Sequence, residues 1–142
     1  FESEKDPLYA LGVLREAKLP AGARLVMLGK GSMEQALRQA AQGLPVEFAG
    51  WQDPAPYLAR AAVVLSTSHH ESFGVSMVEA LAAGVPVVAP DVGVAREAGA
   101  IVVGRSDLPK AVAEVLRTGA RGQLTLQMPD KAEWQKRWLQ SL

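Results

Sequence analysis

Two continuous apolar runs, Ala62–Leu65 and Val85–Ala89, are separated by one helix-length segment, and this arrangement restricts how the chain can fold. Unbroken apolar runs mark strands that are covered on both faces, whereas half-exposed strands alternate. Between the runs, Gly74 to Ala83 reads as a helix, closed by Gly84 as its C-terminal cap with Pro86 just beyond. The same alternation of strand and helix recurs along the chain. Asp6-Pro7 opens a helix with Leu8, Leu11 and Leu14 as its apolar stripe, and Arg24–Leu28 follows as a strand. Gly29-Lys30-Gly31 is a turn, and Ser32-Met33-Glu34-Gln35 reads as a capping box for a helix reaching Ala41. Val46–Ala49 is the next strand, Asp53-Pro54 repeats the Asp-Pro helix start, and a short helix runs from Tyr57 to Ala61. Beyond the two central runs, the pattern predicts a short helix over Val94–Ala98, a strand over Ala100–Val103 and a helix over Asp107–Thr118. Ala120–Met128 fits either strand or helix end. Asp130–Leu142 reads as an amphipathic helix with Trp134, Trp138 and Leu142 on one side. The expectation is one α/β domain over residues 1–142, a three-layer, Rossmann-like, doubly wound parallel sheet.

Composition narrows the partners. Fifteen basic and fifteen acidic residues cancel, so no overall field favours nucleic acid or an acidic membrane. Cysteine is absent, which removes disulfides and thiolate metal sites and is compatible with the cytoplasm. The apolar runs are far shorter than the roughly 20 residues of a membrane span. The chain opens at Phe1 rather than at an initiator methionine, without a charged-then-apolar leader, and reads as a piece of something longer.

Ligands of such sheets bind at the carboxyl ends of the strands, which selects three loops: Gly29-Lys30-Gly31, Gly50-Trp51-Gln52 and Ser66–Gly74. The third carries the most information. The helix from Gly74 is almost uncharged, so both its faces are expected to be covered, yet Glu79 stands in its middle. A buried carboxylate is costly unless paired or hydrogen-bonded. Glu71 stands just before the helix, eight positions earlier, a separation of roughly 12 Å at helical rise. Between the two acids a phosphate could sit on the free N–H groups near Val75 and Ser76, with Gly74 admitting it close to the backbone. Lys5 is a candidate to neutralise that phosphate. The pattern suits a ligand with hydroxyls at its ends and phosphate in its middle.

Other motifs carry less. Gly29-x-Gly31 partly matches the dinucleotide fingerprint, but Glu34 occupies the third glycine position; the turn is either a plain helix lead-in or a ligand lining. His69 and His70 are adjacent and lack a partner at ligand spacing, so no metal site is expected; one of them lines the cleft beside Glu71.

The block Glu71-Ser-Phe-Gly-x4-Glu79-Ala-Leu-Ala-x-Gly84-x-Pro86-Val resembles the E-x7-E signature of the group 1, or family-four, retaining glycosyltransferases of the GT-B fold. Phe48-x-Gly50, Ala61-Ala62-Val63, Ser68 and Val92-Gly93-Val-Ala-Arg-Glu97 match in order and spacing, and the likeness runs from about Lys5 to Leu116. The resemblance implies the C-terminal, donor-binding half of a GT-B architecture. Glu71 would then hold the donor sugar's hydroxyls, with Phe73, Gly74, Val75 and Ser76 around sugar and diphosphate and His70 beside them. Glu79 would accept from the ribose hydroxyls, Lys5 would pair with the diphosphate, and Gly29, Gly50 and Trp51 would line the nucleotide. Lys5 and Glu71 are the residues placed at the chemistry. Thr67 departs from the pattern, which has proline there. The arginine partner of Lys5, the first strand and the acceptor-binding N-terminal domain are expected ahead of Phe1.

The activity implied is transfer of a sugar from a nucleoside-diphosphate sugar to an acceptor, with no metal or cofactor expected and little turnover from the isolated piece. The alternatives are an NAD-type or other nucleotide-binding Rossmann domain, and a nucleotide-binding module without turnover. The partners implied are the donor, the N-terminal domain of the same protein and an acceptor that the residues do not identify. Ser66-Thr67-Ser68, His70-Glu71 and Phe73-Gly74-Val75 are also similar to enzymes that mannosylate queuosine in tRNA, but the zero net charge gives a tRNA acceptor no support. The location implied is cytoplasmic, with membrane association of the full-length protein through the last helix as the variant reading.

Overall fold

The computed structural model describes residues 1–127. The elements, in order, are α1 (Pro7–Glu16), β1 (Leu25–Leu28), α2 (Glu34–Ala40), β2 (Val46–Gly50), α3 (Ala55–Leu58), β3 (Val64–Leu65), α4 (Val75–Ala82), β4 (Val87–Ala89), α5 (Ala95–Ala98), β5 (Ile101–Val102) and α6 (Leu108–Thr118). Short 3-10 turns over Ser3–Lys5 and Arg105–Asp107 precede α1 and α6. The expected helix over Asp130–Leu142, with its two tryptophans, lies outside the described residues.

Every strand pair is parallel, as the sequence predicts. The single sheet expected is instead two ladders, β1–β2 and β3–β4–β5, with no ladder between β1 and β3 among the described residues. Both sets are held by α1, which places Leu11 against Met27 and Leu37 and places Val13 against Val88, Leu108 and Val112. The middle strand β4 shows why the apolar runs do not alternate. Val87 and Ala89 face Met77, Leu81 and Ala95, while Val88 faces the α1–α6 side, and all three strand residues are fully buried. Each buried valine or leucine contributes about 1.5–3 kcal/mol relative to exposure.

Several expected boundaries move. The Ala62–Leu65 run joins the ladder only at Val64 and Leu65, which pair with Val87 and Val88. β4 begins only at Val87, after Pro86, and among the described residues no strand pairs with β3 on its other side, so the start of the run finds no partner. The capping box at Ser32 does not form: α2 starts after Met33, because Ser32 gives both its hydroxyl and its N–H to the Glu2 carboxylate, at 2.9 and 3.2 Å. The helix after Asp53-Pro54 begins at once rather than at Tyr57, with Asp53 Oδ1 accepting from the Ala55 N–H at 3.0 Å. Residues 120–127 are neither strand nor helix. They cross the α4–α5 layer, Gly122 donating to the Gly84 carbonyl and Thr125 to that of Ala98, with Leu124 and Leu126 packed on the core.

Candidate functional site

The carboxyl ends of the two ladders carry two residue groups. The first is the turn after β1 and the end of β2, where the Gly29 N–H donates to the Gly50 carbonyl at 2.7 Å. Trp51 follows, 81% exposed, so its indole is open to a ligand or partner. Phe1 lies across this turn: its ammonium donates to the Lys30 carbonyl, and its own carbonyl accepts from Met33 at 3.2 Å.

The second group lies between β3 and α4. Lys5 Nζ is 2.6 Å from Glu71 Oε2, and Ser68, itself buried, donates its hydroxyl to Glu71 Oε1 at 2.8 Å. Glu71 is thus oriented through both oxygens, with its side chain only 10% exposed against 53% for Lys5. The carboxylate is held from inside while the ammonium stays open to solvent. The link from Glu71 to α4 is tight. Gly93 approaches so closely that a β-carbon there would strike the Phe73 carbonyl and come 3.0 Å from Glu71 Cβ. The Val94 N–H binds that same carbonyl at 3.0 Å. Gly74 caps α4 at φ 98, a left-handed conformation that glycine adopts without strain. The Gly74 carbonyl accepts from Met77 and Val78, leaving the first-turn N–H groups of Val75 and Ser76 without an intrahelical acceptor, on exposed residues.

The two groups are joined by the opening residues. Phe1 and Glu2 sit on the Gly29–Ser32 turn, the Glu4 carbonyl accepts from the His69 N–H, and Lys5 reaches Glu71. The structure therefore brings Lys5, Glu71, Phe73, Gly74, Val75 and Ser76 together, and brings Gly29, Gly50 and Trp51 together at the neighbouring ladder.

One expectation needs correction. α4 is not covered on both faces: Met77, Ala80 and Leu81 are buried, whereas Val75, Ser76 and Glu79 are exposed. Helical spacing puts Glu79 on the same side as Val75 and Ser76, so its carboxylate remains in water and pays no burial cost. His70 is exposed and makes no side-chain hydrogen bond among the described residues, while His69 turns its Nε2 to Asp6 Oδ2 at 3.0 Å. No group of three potential metal ligands forms among the described residues.

Other residues at this site were missed in the sequence. Asp6 is the one non-glycine residue at positive φ, 42°, among those described. That conformation costs about 1–2 kcal/mol for an L-residue. It is held by many contacts: Oδ1 caps Tyr9 at 3.3 Å, and Oδ2 accepts from the Arg105 guanidinium. Arg105 also donates to the Thr67 carbonyl and stacks over the Tyr9 ring at 4.3 Å, while Tyr9 returns its hydroxyl to the Arg105 carbonyl at 2.9 Å. Thr67, the departure from the resemblance, is buried, and its hydroxyl lies 2.9 Å from both the Lys5 and the Asp6 carbonyls. The Asp6-Pro7 signal identified the cap, but nothing in the local sequence points to Arg105, 99 positions away.

The family model described as glycosyl transferases group 1 matches residues 4–120. A GDP-mannose-dependent alpha-(1-6)-phosphatidylinositol dimannoside mannosyltransferase of Mycobacterium tuberculosis is 35% identical over 118 residues, 77% of this chain and 30% of that protein. The chain thus spans less than a third of that relative's length. Among solved structures, TarM of S. aureus, crystallised with UDP, superposes with a TM-score of 0.71 at 21% identity, over 80% of this chain and 26% of its own. HepE of Anabaena, crystallised with UDP-glucose, gives 0.67 at 23% identity over 83% of this chain and 36% of its own. These two likenesses concern the fold alone. With a family match that takes in both ladders, the Lys5–Glu71 pair and α4, the chain belongs to the group 1 glycosyl transferases, enzymes of the GT-B fold.

Proposed function

We propose that this chain is the donor-binding, C-terminal half of a retaining glycosyltransferase, and that it takes a nucleoside-diphosphate sugar. The observation that carries the reading is the Lys5–Glu71–Ser68 set beside the open N-terminus of α4. A carboxylate fixed through both oxygens suits recognition of sugar hydroxyls. An exposed ammonium at its side, together with unbonded helix N–H groups, suits a diphosphate. The names of the relatives agree: the mycobacterial protein is GDP-mannose-dependent, and HepE was crystallised with UDP-glucose.

The chemistry is leaving-group electrostatics. As the bond between sugar and diphosphate breaks, negative charge grows on the diphosphate. Lys5 and the N–H groups of Val75 and Ser76 stabilise that charge without reorganising. Glu71 positions the sugar and is not assigned as a nucleophile. Glu79, on the same exposed side of α4, accepts from the ribose hydroxyls, and Gly29, Gly50 and Trp51 line the nucleotide. No metal is assigned a part. The edges of β1 and β3 that pair with no strand among the described residues take a strand that precedes Phe1, bringing the arginine partner of Lys5. The acceptor is held by an N-terminal domain, and the protein works in the cytoplasm or at a membrane surface.

The test is titration with UDP, GDP and ADP, read by amide shifts, for the native protein and for Lys5→Met. Binding of one nucleotide that falls at least ten-fold in Lys5→Met is expected, the size of a lost charge-assisted hydrogen bond. Equal affinity in both proteins would remove Lys5 from the diphosphate.

A further inference from the structure

Arg105 belongs to no motif, and the mechanism above does not use it, yet its side chain reaches from a third segment to both of the segments that carry the partners of Glu71. From the 3-10 turn between β5 and α6, one arm of its guanidinium donates to Asp6 Oδ2 and the other to the Thr67 carbonyl. Its flat face lies on the Tyr9 ring, and the Tyr9 hydroxyl closes the loop onto the Arg105 carbonyl. Side chains of 28% exposure for Arg105 and 24% for Asp6 leave this ion pair shielded on most sides.

The residues it grips stand one position from the site. Asp6 follows Lys5, and Thr67 precedes Ser68; Lys5 and Ser68 are the two residues that bind the Glu71 carboxylate. The Thr67 hydroxyl bonds the Lys5 and Asp6 carbonyls and ties the two segments directly to each other. The left-handed turn at Asp6 sends the chain into α1 immediately after Lys5, so the direction of the Lys5 side chain depends on Asp6 being held.

We propose that Arg105 is a positioning residue for the Lys5–Glu71 pair, acting through Asp6 and Thr67. Its consequence for the diphosphate rests on the donor-binding reading above; its consequence for the Lys5–Glu71 geometry does not. Lysine cannot replace it fully, because an ammonium lacks the planar fork that reaches two acceptors and the face that stacks on tyrosine.

The experiment uses the protein at full length with isotope-labelled lysine, comparing native, Arg105→Ala and Arg105→Lys. Three quantities are read: the Lys5 ammonium NMR signal, assigned with Lys5→Met; the affinity for UDP, GDP and ADP; and the melting temperature. In Arg105→Ala the Lys5 signal is expected to move to that of a free surface lysine. Nucleotide affinity should fall about ten-fold, the scale of a charge-assisted hydrogen bond lost from the diphosphate. Arg105→Lys should recover part of both. An unchanged Lys5 signal and affinity, with only a lower melting temperature, would overturn the proposal and leave Arg105 a structural tie. If Arg105→Ala does not fold, the same two readings on Arg105→Lys decide, a native Lys5 signal and affinity counting against. If the native protein binds none of the three nucleotides, the donor-binding reading falls, and the Lys5 signal alone still decides for or against Arg105.

Discussion

Lys5 and Glu71 are 66 positions apart in sequence and 2.6 Å apart in space, with Glu71 held on its other oxygen by Ser68. The pair stands between the first turn of α4 and the segment entering α1, so a change at either end moves a charge at the other. That relationship supports predictions at four places around it.

Glu79 tests the assignment of the second acid. In the intact enzyme, Glu79→Ala should weaken nucleotide-sugar binding about ten-fold or more, as expected for a lost bond to a carboxylate. The melting temperature should hardly move, because Glu79 is exposed and its loss opens no cavity. Donor affinity equal to native, measured by calorimetry, would sink the ribose role.

Thr67→Val keeps the shape of a buried side chain and removes the hydroxyl that serves the Lys5 and Asp6 carbonyls. Destabilisation of about 1–3 kcal/mol is expected, because those carbonyls lose a partner that water cannot easily replace. The denaturation midpoint reads it. A midpoint equal to native would show that the hydroxyl contributes nothing.

Gly93 sits at φ 53 with the Phe73 carbonyl against the place where a side chain would start. Gly93→Ala should cost more than about 1 kcal/mol from conformation alone. It should also push the Glu71–Gly74 link outward, which amide shifts at Phe73 and Val75 would report. A variant as stable as native, with native shifts, would contradict the close approach.

Glu2 provides the pH test. The Ser32 hydroxyl, and after it the Ser32 N–H, hold the Glu2 carboxyl below its ordinary 4.5. An acid depressed in the folded state adds stability above its unfolded pKa and loses it as pH falls through the lower, folded value. Ser32→Ala should therefore raise the Glu2 carboxyl toward 4.5 and flatten the part of the acid-stability curve below that point. Side-chain carboxyl NMR follows it directly; a titration identical to native would refute the bond.

The elements near the site were legible to different degrees. Asp6-Pro7 and Gly74 to Gly84 are local signals, a cap and a helix with its stop, and the structure keeps both. Ser32-x-x-Gln35 is as good a local signal, but Glu2 takes the serine hydroxyl, and a partner from outside the segment outweighs the box. Glu79 was misjudged for a related reason. A helix poor in charge reads as buried, yet Val75 at 60% exposure shows that α4 leaves an apolar residue in water beside its acid. An exposed apolar face of that kind is settled by what the neighbouring elements cover, and composition does not carry that information.

By itself the sequence determined that the strands are parallel and that the middle one is buried on both faces, that glycine breaks each loop where the site lies, and that two acids flank a helix start. Those properties follow from hydrophobic periodicity and backbone sterics, which act over a few residues. Only the tertiary structure decided which groups meet: Lys5 with Glu71, Thr67 with the backbone of residues 5 and 6, and Arg105 with Asp6. Such contacts join distant segments. Whether they form depends on how α1 and the turn before α6 pack beside β3 and β4, and no local pattern records that.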